Sequence, residues 1–190
     1  MKKVTLSLLI LMVGAVWASI SFYPIDTFED GTYGKWYAFD RVGLSIINNP
    51  EKNKNDTIAD SCGDYSLRIT GEAENWYAGG MGTQLNMDAS DFYRVQLDLY
   101  GGKLRGKIKL EMYEKAKGKE TEEKWMVEIP VLGEGFTRYS IPFTAFNQET
   151  NENKFHGPTL NTITKFQIIF ITQNKKGNID LALDNILLTR

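Results

Sequence analysis

Cysteine and histidine are almost missing: in 190 residues there is one of each, Cys62 and His156. A lone cysteine excludes a disulfide framework and leaves a thiol that is either buried or reactive. One histidine and one cysteine cannot supply a zinc site of the usual nitrogen and sulfur kind. A Ser-His-Asp or Cys-His arrangement would have to use His156, which lies in the Asn-rich stretch Gln148 to Pro158. No Gly-x-Ser-x-Gly elbow occurs, and Gly79-Gly80 and Gly101-Gly102 lack the following helix and lysine of a phosphate loop. Charge of one sign is not in excess, since 22 basic residues face 24 acidic ones for a formal net charge of −2. That balance offers no electrostatic case for nucleic acid or for an anionic membrane. Paired carboxylates for glycoside hydrolysis remain as a catalytic route, and these need a separation of roughly 5–9 Å.

Long apolar runs are missing except at the start. Met1-Lys2-Lys3 is followed by the uncharged, almost wholly apolar Val4 to Val16 and then by Val16-Trp17-Ala18. The order charged, apolar, small is that of a secretory signal, with cleavage expected after Ala18. A membrane anchor is the competing reading, but the run falls short of the ~20 residues that a spanning helix needs. No cysteine lies near the cleavage point, so lipid attachment is not expected. The expected organisation is a signal over 1–18 and one domain over 19–190, secreted, periplasmic or on the cell surface. No membrane span is expected after cleavage.

Helix signals are nearly absent too. What recurs instead is period-two alternation bounded by polar loops, the pattern of an all-β fold. In Phe92 to Tyr100, Tyr93, Val95, Leu97 and Leu99 are expected on one side and Arg94, Gln96, Asp98 and Tyr100 on the other. In Lys107 to Glu114, Ile108, Leu110 and Met112 are expected inside, with Lys107, Lys109, Glu111 and Tyr113 outside. Further strands are expected over Ile25–Phe28, Trp36–Phe39, Tyr65–Thr70, Met81–Met87, Trp125–Ile129, Thr137–Ile141, Thr164–Thr172 and Ile179–Leu188. Asn48 to Asp60, Lys115 to Lys124 and Gln148 to Pro158 read as polar loops. Nine or ten short strands suit a two-sheet antiparallel β-sandwich, a jelly roll.

Two constellations could carry function. Phe28-Glu29-Asp30-Gly31 follows the first strand and Leu183-Asp184-Asn185-Ile186 lies in the last. First and last strands of a sandwich often adjoin, and carboxylates meeting there would share a cation such as calcium, which takes six to eight oxygens. An Asp-Gly turn plus an ordinary hydrogen-bonded aspartate explains the same residues. The second constellation is the outward row of Asp98 and Tyr100, with Tyr113 on the expected hairpin partner and Trp76 and Gln84 on the same side. Aromatic rings among a few polar groups suit a sugar ligand; a solvated sheet face is the alternative.

The order of several motifs resembles a known family. Phe28-Glu29-Asp30-Gly31, Gly63 to Thr70 (GDYSLRIT), Trp76 to Leu85 (WYAGGMGTQL), Asp88 to Tyr93 (DASDFY), Phe136 to Phe146 (FTRYSIPFTAF), Leu160 to Ile163, Phe166 to Phe170 and Asp184-Asn185-Ile186 together resemble the jelly-roll carbohydrate-binding modules of family 11 and the related galactose-binding-like domains. The resemblance implies a concave sheet face that holds a polysaccharide of the β-glucan kind. It implies Trp76, Asp98, Tyr100, Tyr113 and Gln167 as ligand-binding residues. It also implies a structural calcium ion on Glu29 and Asp184, with Asp30 as a third ligand. No catalysis is expected. The complex I intermediate-associated family shares much of this pattern and implies a protein partner and an assembly role instead; a glycoside hydrolase is the third reading.

Overall fold

A computed structural model of the chain describes residues 22–52, 58, 61–102, 104–115, 121–132, 135–148 and 157–190. The expected signal over 1–18, His156 and most of the three polar loops lie outside the described residues. Twelve strands carry the described fold: β1 Phe22–Asp26, β2 Tyr37–Asp40, β3 Val42–Asn48, β4 Tyr65–Glu74, β5 Tyr77–Met87, β6 Arg94–Tyr100, β7 Gly106–Lys115, β8 Glu122–Pro130, β9 Phe136–Pro142, β10 Asn147–Gln148, β11 Ile163–Thr172 and β12 Lys176–Thr189. One 3₁₀ turn, Phe143–Ala145, follows β9. Among the described residues no helix is long and apolar enough to cross a membrane.

The hydrogen-bonded path runs β10-β8-β7-β11-β5-β4-β12-β6-β9, with β2 on β5, β3 on β4 and β1 on β12, and every pairing is antiparallel. It folds back on itself at the β4–β5 hairpin, where Glu74 and Tyr77 alone pair. This divides the strands into two layers. The first sheet is β10-β8-β7-β11-β5-β2; the second is β3-β4-β12-β6-β9, with β1 beside the end of β12. The tight turn between them runs through Asn75 and Trp76, both with positive φ.

Alternation then builds the core. Ile108, Leu110 and Met112 of β7, Phe166, Ile168 and Phe170 of β11 and Met81 of β5 face Leu67 and Ile69 of β4, Leu97 and Leu99 of β6 and Leu181 and Leu183 of β12 in one apolar cluster. β3 adds Val42, Leu44 and Ile46 to its margin. In β12 the alternation is reset by a bulge. Asn185 has φ +43°, the register with β6 shifts between Asp184 and Leu187, and Ile186 and Leu188 return to the core.

Each segment expected from alternation overlaps a strand, but Phe28 lies in the turn after β1, and Tyr93, expected inside with Val95, Leu97 and Leu99, precedes β6 and is exposed, because the strand begins only at Arg94. β3 and β10 are additional, and β3 lies in the stretch just before the first polar loop. One expected pairing is wrong: β6 and β7 are not hairpin partners. β6 pairs with β12 and β9, whereas β7 pairs with β11 and β8. The connection from Gly101 to Arg105 passes from one sheet to the other. Gly102 takes φ +49° there, with the carbonyl of Asp180 so close that a Cβ would meet it at 2.0 Å.

Candidate functional site

The outer face of the first sheet gathers aromatic and polar side chains from five strands. Register places Tyr37 of β2 beside Gly82 of β5, Gly82 beside Gln167 of β11, Gln167 beside Glu111 of β7, and Glu111 beside Met126 of β8. The neighbouring row is Gln84, Lys165, Tyr113 and Lys124. These residues face outward because their sequence neighbours Met81, Phe166, Ile168, Leu110, Met112 and Trp125 are buried in the core.

Contacts tie the rows together. Gln167 Nε2 donates to the Tyr37 hydroxyl at 2.9 Å, and the Tyr113 hydroxyl donates to Glu111 Oε2 at 3.1 Å. Lys165 Nζ stands 3.6 Å from the Tyr113 ring centroid, a cation–π contact. Glu111 is buried, with Lys109 Nζ at 2.8 Å and Lys124 Nζ at 3.5 Å from its Oε1. Burial pushes its carboxyl up, but the hydrogen bond and charge of Lys109, then Lys124 and Tyr113, outweigh this and hold it below the ordinary value. It therefore stays an ionised acceptor. Glycines give the rings their place: a Cβ at Gly80 would fall 2.5 Å from Phe39 Cζ, and one at Gly82 would fall 2.6 Å from the Tyr37 hydroxyl. A ring pair, Tyr37 and Phe39, 6.2 Å apart, thus lies low over β5.

Of the expected ligand-binding residues, Tyr113 and Gln167 meet on this face, on adjacent strands. Asp98, Tyr100 and Trp76 do not join them. Asp98 is on the second sheet and fully buried. Arg138 Nε and Nη2 donate to its two oxygens at 2.7 Å each, and Asn185 Nδ2 donates to Oδ2 at 2.9 Å. Tyr100 is also on the second sheet, packed on Phe136 and lining a cavity of about 320 Å³ with Arg68, Asp180 and Gly102. The cause is the crossing between β6 and β7, which separates the two halves of the expected row. Trp76 is exposed on the hairpin that joins the sheets, beyond the end of β11, with Lys175 Nζ 5.1 Å from its ring centroid. Tyr37 was not singled out by the sequence reading. The alternating glycines of β5, Gly80 and Gly82, are the signal for it, because they vacate the outer face for a neighbouring ring.

The acidic residues assemble at the other sheet. β1 pairs with the end of β12. Glu29 accepts from the backbone N–H groups of Asp64 and Tyr65 at 3.0–3.1 Å, folded over Gly63, where a Cβ would strike the carboxylate at 2.3 Å. Asp184 is fully buried, accepts from Ser66 Oγ at 2.9 Å and from Asn185 N at 2.7 Å, and sits directly across from Asp98 in the β6–β12 register. Burial, with smaller contributions from Glu29 and Asp98, pushes its carboxyl up to about 8 despite those hydrogen bonds. Two crowded carboxylates, one poorly solvated, are donors that suit a cation. Asp30 is not among them: its carboxylate caps its own turn through Thr32 N and Thr32 Oγ1, exposed to solvent. Among the described residues no three acidic, histidine or cysteine side chains converge closely enough to form a metal cluster. A calcium ion here would draw on Glu29, Asp184 and backbone carbonyls. Cys62 is buried beside Asp98, and burial followed by the charges of Asp98 and Asp184 pushes its thiol far up, so it is a poor nucleophile.

Sequence comparison finds no matching family model and no matching curated protein. Solved structures do match. A family 11 carbohydrate-binding module from Clostridium thermocellum, in complex with a β-1,3-1,4-mixed-linked tetrasaccharide, superposes with a TM-score of 0.64 at 18% identity, covering 90% of this chain and 97% of that one. The family 11 module of the cellulosomal cellulase Lic26A-Cel5E of Clostridium thermocellum gives 0.63 at 18%, covering 90% and 96%. An exo-β-agarase gives 0.59 at 12%, where the match spans 86% of this chain but 25% of the enzyme. The chain has the jelly-roll fold of the family 11 carbohydrate-binding modules.

Proposed function

We propose that this chain is an exported, non-catalytic carbohydrate-binding module that lays a polysaccharide of the β-glucan kind across the outer face of the first sheet. The observation that carries the reading is the joined row of Tyr37, Gln167, Glu111 and Tyr113. Tyr37 and Tyr113 are rings on which pyranose faces stack; Gln167 and ionised Glu111 are placed to bond hydroxyls between them. Support also comes from the family 11 module that holds a mixed-linked β-glucan fragment on the same fold. Export rests on the charged, apolar and small residues of positions 1–18. A structural calcium on Glu29 and Asp184 would neutralise the crowded carboxylates of the second sheet.

Two features speak against catalysis on the first sheet's outer face. Two of its acids, Glu111 and Glu128, are engaged by Lys109 and Lys107 respectively. Glu111, though buried, is held ionised by Lys109, Lys124 and Tyr113, whereas a glycosidase's proton donor must keep its proton. A protein partner is the second reading, favoured by the exposed aromatics Phe22, Tyr23 and Tyr93, which flank Thr189 at the far end of the second sheet.

Affinity electrophoresis through soluble β-glucans, in calcium and in chelator, tests the proposal. Retardation is expected. Unchanged mobility across a broad polysaccharide panel removes the sugar reading, and sugar release on long incubation removes the non-catalytic one.

A further inference from the structure

Trp76 stands where a glycine would be at ease. Asn75 and Trp76 are the two residues between Glu74 and Tyr77, the single pair that joins β4 to β5, and their φ angles are +51° and +68°. Asparagine tolerates such a φ and glycine adopts it freely, but a bulky side chain rarely does. The fold does not call for the indole. The Trp76 N–H donates to the Lys175 carbonyl at 3.1 Å, and the Trp76 carbonyl accepts from Thr172 N at 2.9 Å and from Thr172 Oγ1 at 3.3 Å. These bonds use only backbone atoms of Trp76, so a glycine would keep them. The residue is 45% exposed even with Lys175 Nζ 5.1 Å from its ring centroid. Backbone strain and an exposed ring together point to a use for that ring outside the fold.

The ring also ends a line that begins in the row of Tyr37, Gln167, Glu111 and Tyr113. On the outer face β11 presents Gln167, Ile169 and Ile171 in turn. Ile169 is buried yet stands outside the core cluster; with the Phe39 ring it fills the space above Gly80. Ile171 pairs with the exposed Tyr77 on one side and with Lys107 on the other. Beside Ile171 the end of the sheet is hollowed by a cavity of about 480 Å³, which Lys107, Pro130 and Gln173 also line. An apolar floor flanked by exposed rings therefore runs from Gln167 past Phe39 and Tyr77, and Trp76 follows at its end. From Tyr113 to Lys107, level with Tyr77, the line covers about 20 Å along the strands, and it crosses two strand spacings, about 10 Å. A trisaccharide is too short to span it, and a longer chain is not.

Resting on the carbohydrate reading above, we infer that the glycan site continues along this line to Trp76, so that its ligand is a long stretch of β-linked polysaccharide, held by the row of Tyr37, Gln167 and Tyr113 at one end and stacked on the Trp76 ring at the other.

The test compares cellotriose with cellohexaose, β-1,4-linked glucose oligomers that differ only in length, by titration calorimetry on the full chain. The parent is expected to bind the hexamer about twentyfold tighter, because a second contact on the same ligand adds to the first. Trp76→Gly is expected to weaken the hexamer about fivefold and leave the trimer unchanged. Its melting temperature should hold or rise, since glycine takes a positive φ without strain. Trp76→Tyr keeps a ring and should retain most of the preference for the hexamer. Equal affinity of the parent for the two oligomers, or a hexamer affinity untouched in Trp76→Gly, overturns the extension and leaves carbohydrate binding standing. An equal loss for both oligomers, or a clear fall in the melting temperature of Trp76→Gly, makes the indole a structural group and overturns it as well. Failure of the parent to bind either oligomer overturns both readings.

Discussion

Tyr37 occupies the space that a side chain at Gly82 would fill. A Cβ on Gly82 would lie 2.6 Å from the Tyr37 hydroxyl, 2.7 Å from its Cζ and 3.0 Å from Gln167 Cγ. The pairing of these residues across β2, β5 and β11 makes a glycine on one strand the seat for a ring from another.

Gly82→Ala should therefore act on binding more than on folding. The obstructed atoms belong to a half-exposed tyrosine on an edge strand, which can swing aside, and Gly82 is not at a positive φ. Glycan affinity should fall by about fivefold or more, the loss expected when an aromatic anchor is displaced. Titration calorimetry reads this, and a melting temperature within a few degrees of the parent shows that the fold is kept. An unchanged affinity would remove Tyr37 from the site.

Tyr113→Ala should also weaken binding without unfolding the protein, because the ring lies outside the core. Tyr113→Phe separates two roles. It keeps the stacking surface and removes the hydroxyl that donates to Glu111. Affinity for Tyr113→Phe should fall between those of the parent and Tyr113→Ala. A large loss of melting temperature in Tyr113→Ala would contradict its placement on the outer face.

Asp98→Ala should do the reverse. Asp98 is buried under a bidentate contact from Arg138, so its removal strands a guanidinium whose side chain is 35% exposed. Part of that charge can reach water, which sets the cost at the lower end for a broken ion pair, about 2–3 kcal/mol. Denaturant unfolding should show this loss. Glycan affinity of the folded fraction should not change, since Asp98 is on the other sheet.

Asp184 should make stability depend on pH. Its folded carboxyl titrates at about 8, above the unfolded value near ~4. The native state therefore keeps a proton that the unfolded chain has already lost. The stability this contributes is complete below the unfolded value and is lost as pH rises from there to about 8. In chelator the melting temperature should decline over that window, and Asp184→Asn should flatten the decline. Added calcium should raise the melting temperature most near pH 8, because an ion bound by the native state alone stabilises it by mass action. Identical melting in calcium and in chelator would remove the metal from the proposal.

The sequence by itself determined the strands and their sidedness. Period-two alternation is a local property: once Ile108, Leu110 and Met112 face inward, Glu111 and Tyr113 must face outward, whatever the neighbours. That is why the face of β7 was legible, and Gln167 with it. Which strands are neighbours is not local. Gly101-Gly102 reads as a hairpin turn, yet the chain crosses there to the opposite sheet, and the row drawn through Asp98, Tyr100 and Tyr113 comes apart. Burial of a polar residue is equally non-local. Alternation correctly turns Asp98 away from the apolar core, but Cys62, Arg138 and Asn185, distant in sequence, cover it. The partnership of Tyr37, Gln167, Glu111 and Tyr113 arises only when β2, β5, β11 and β7 lie side by side, and their pairing is set by tertiary packing of the two sheets.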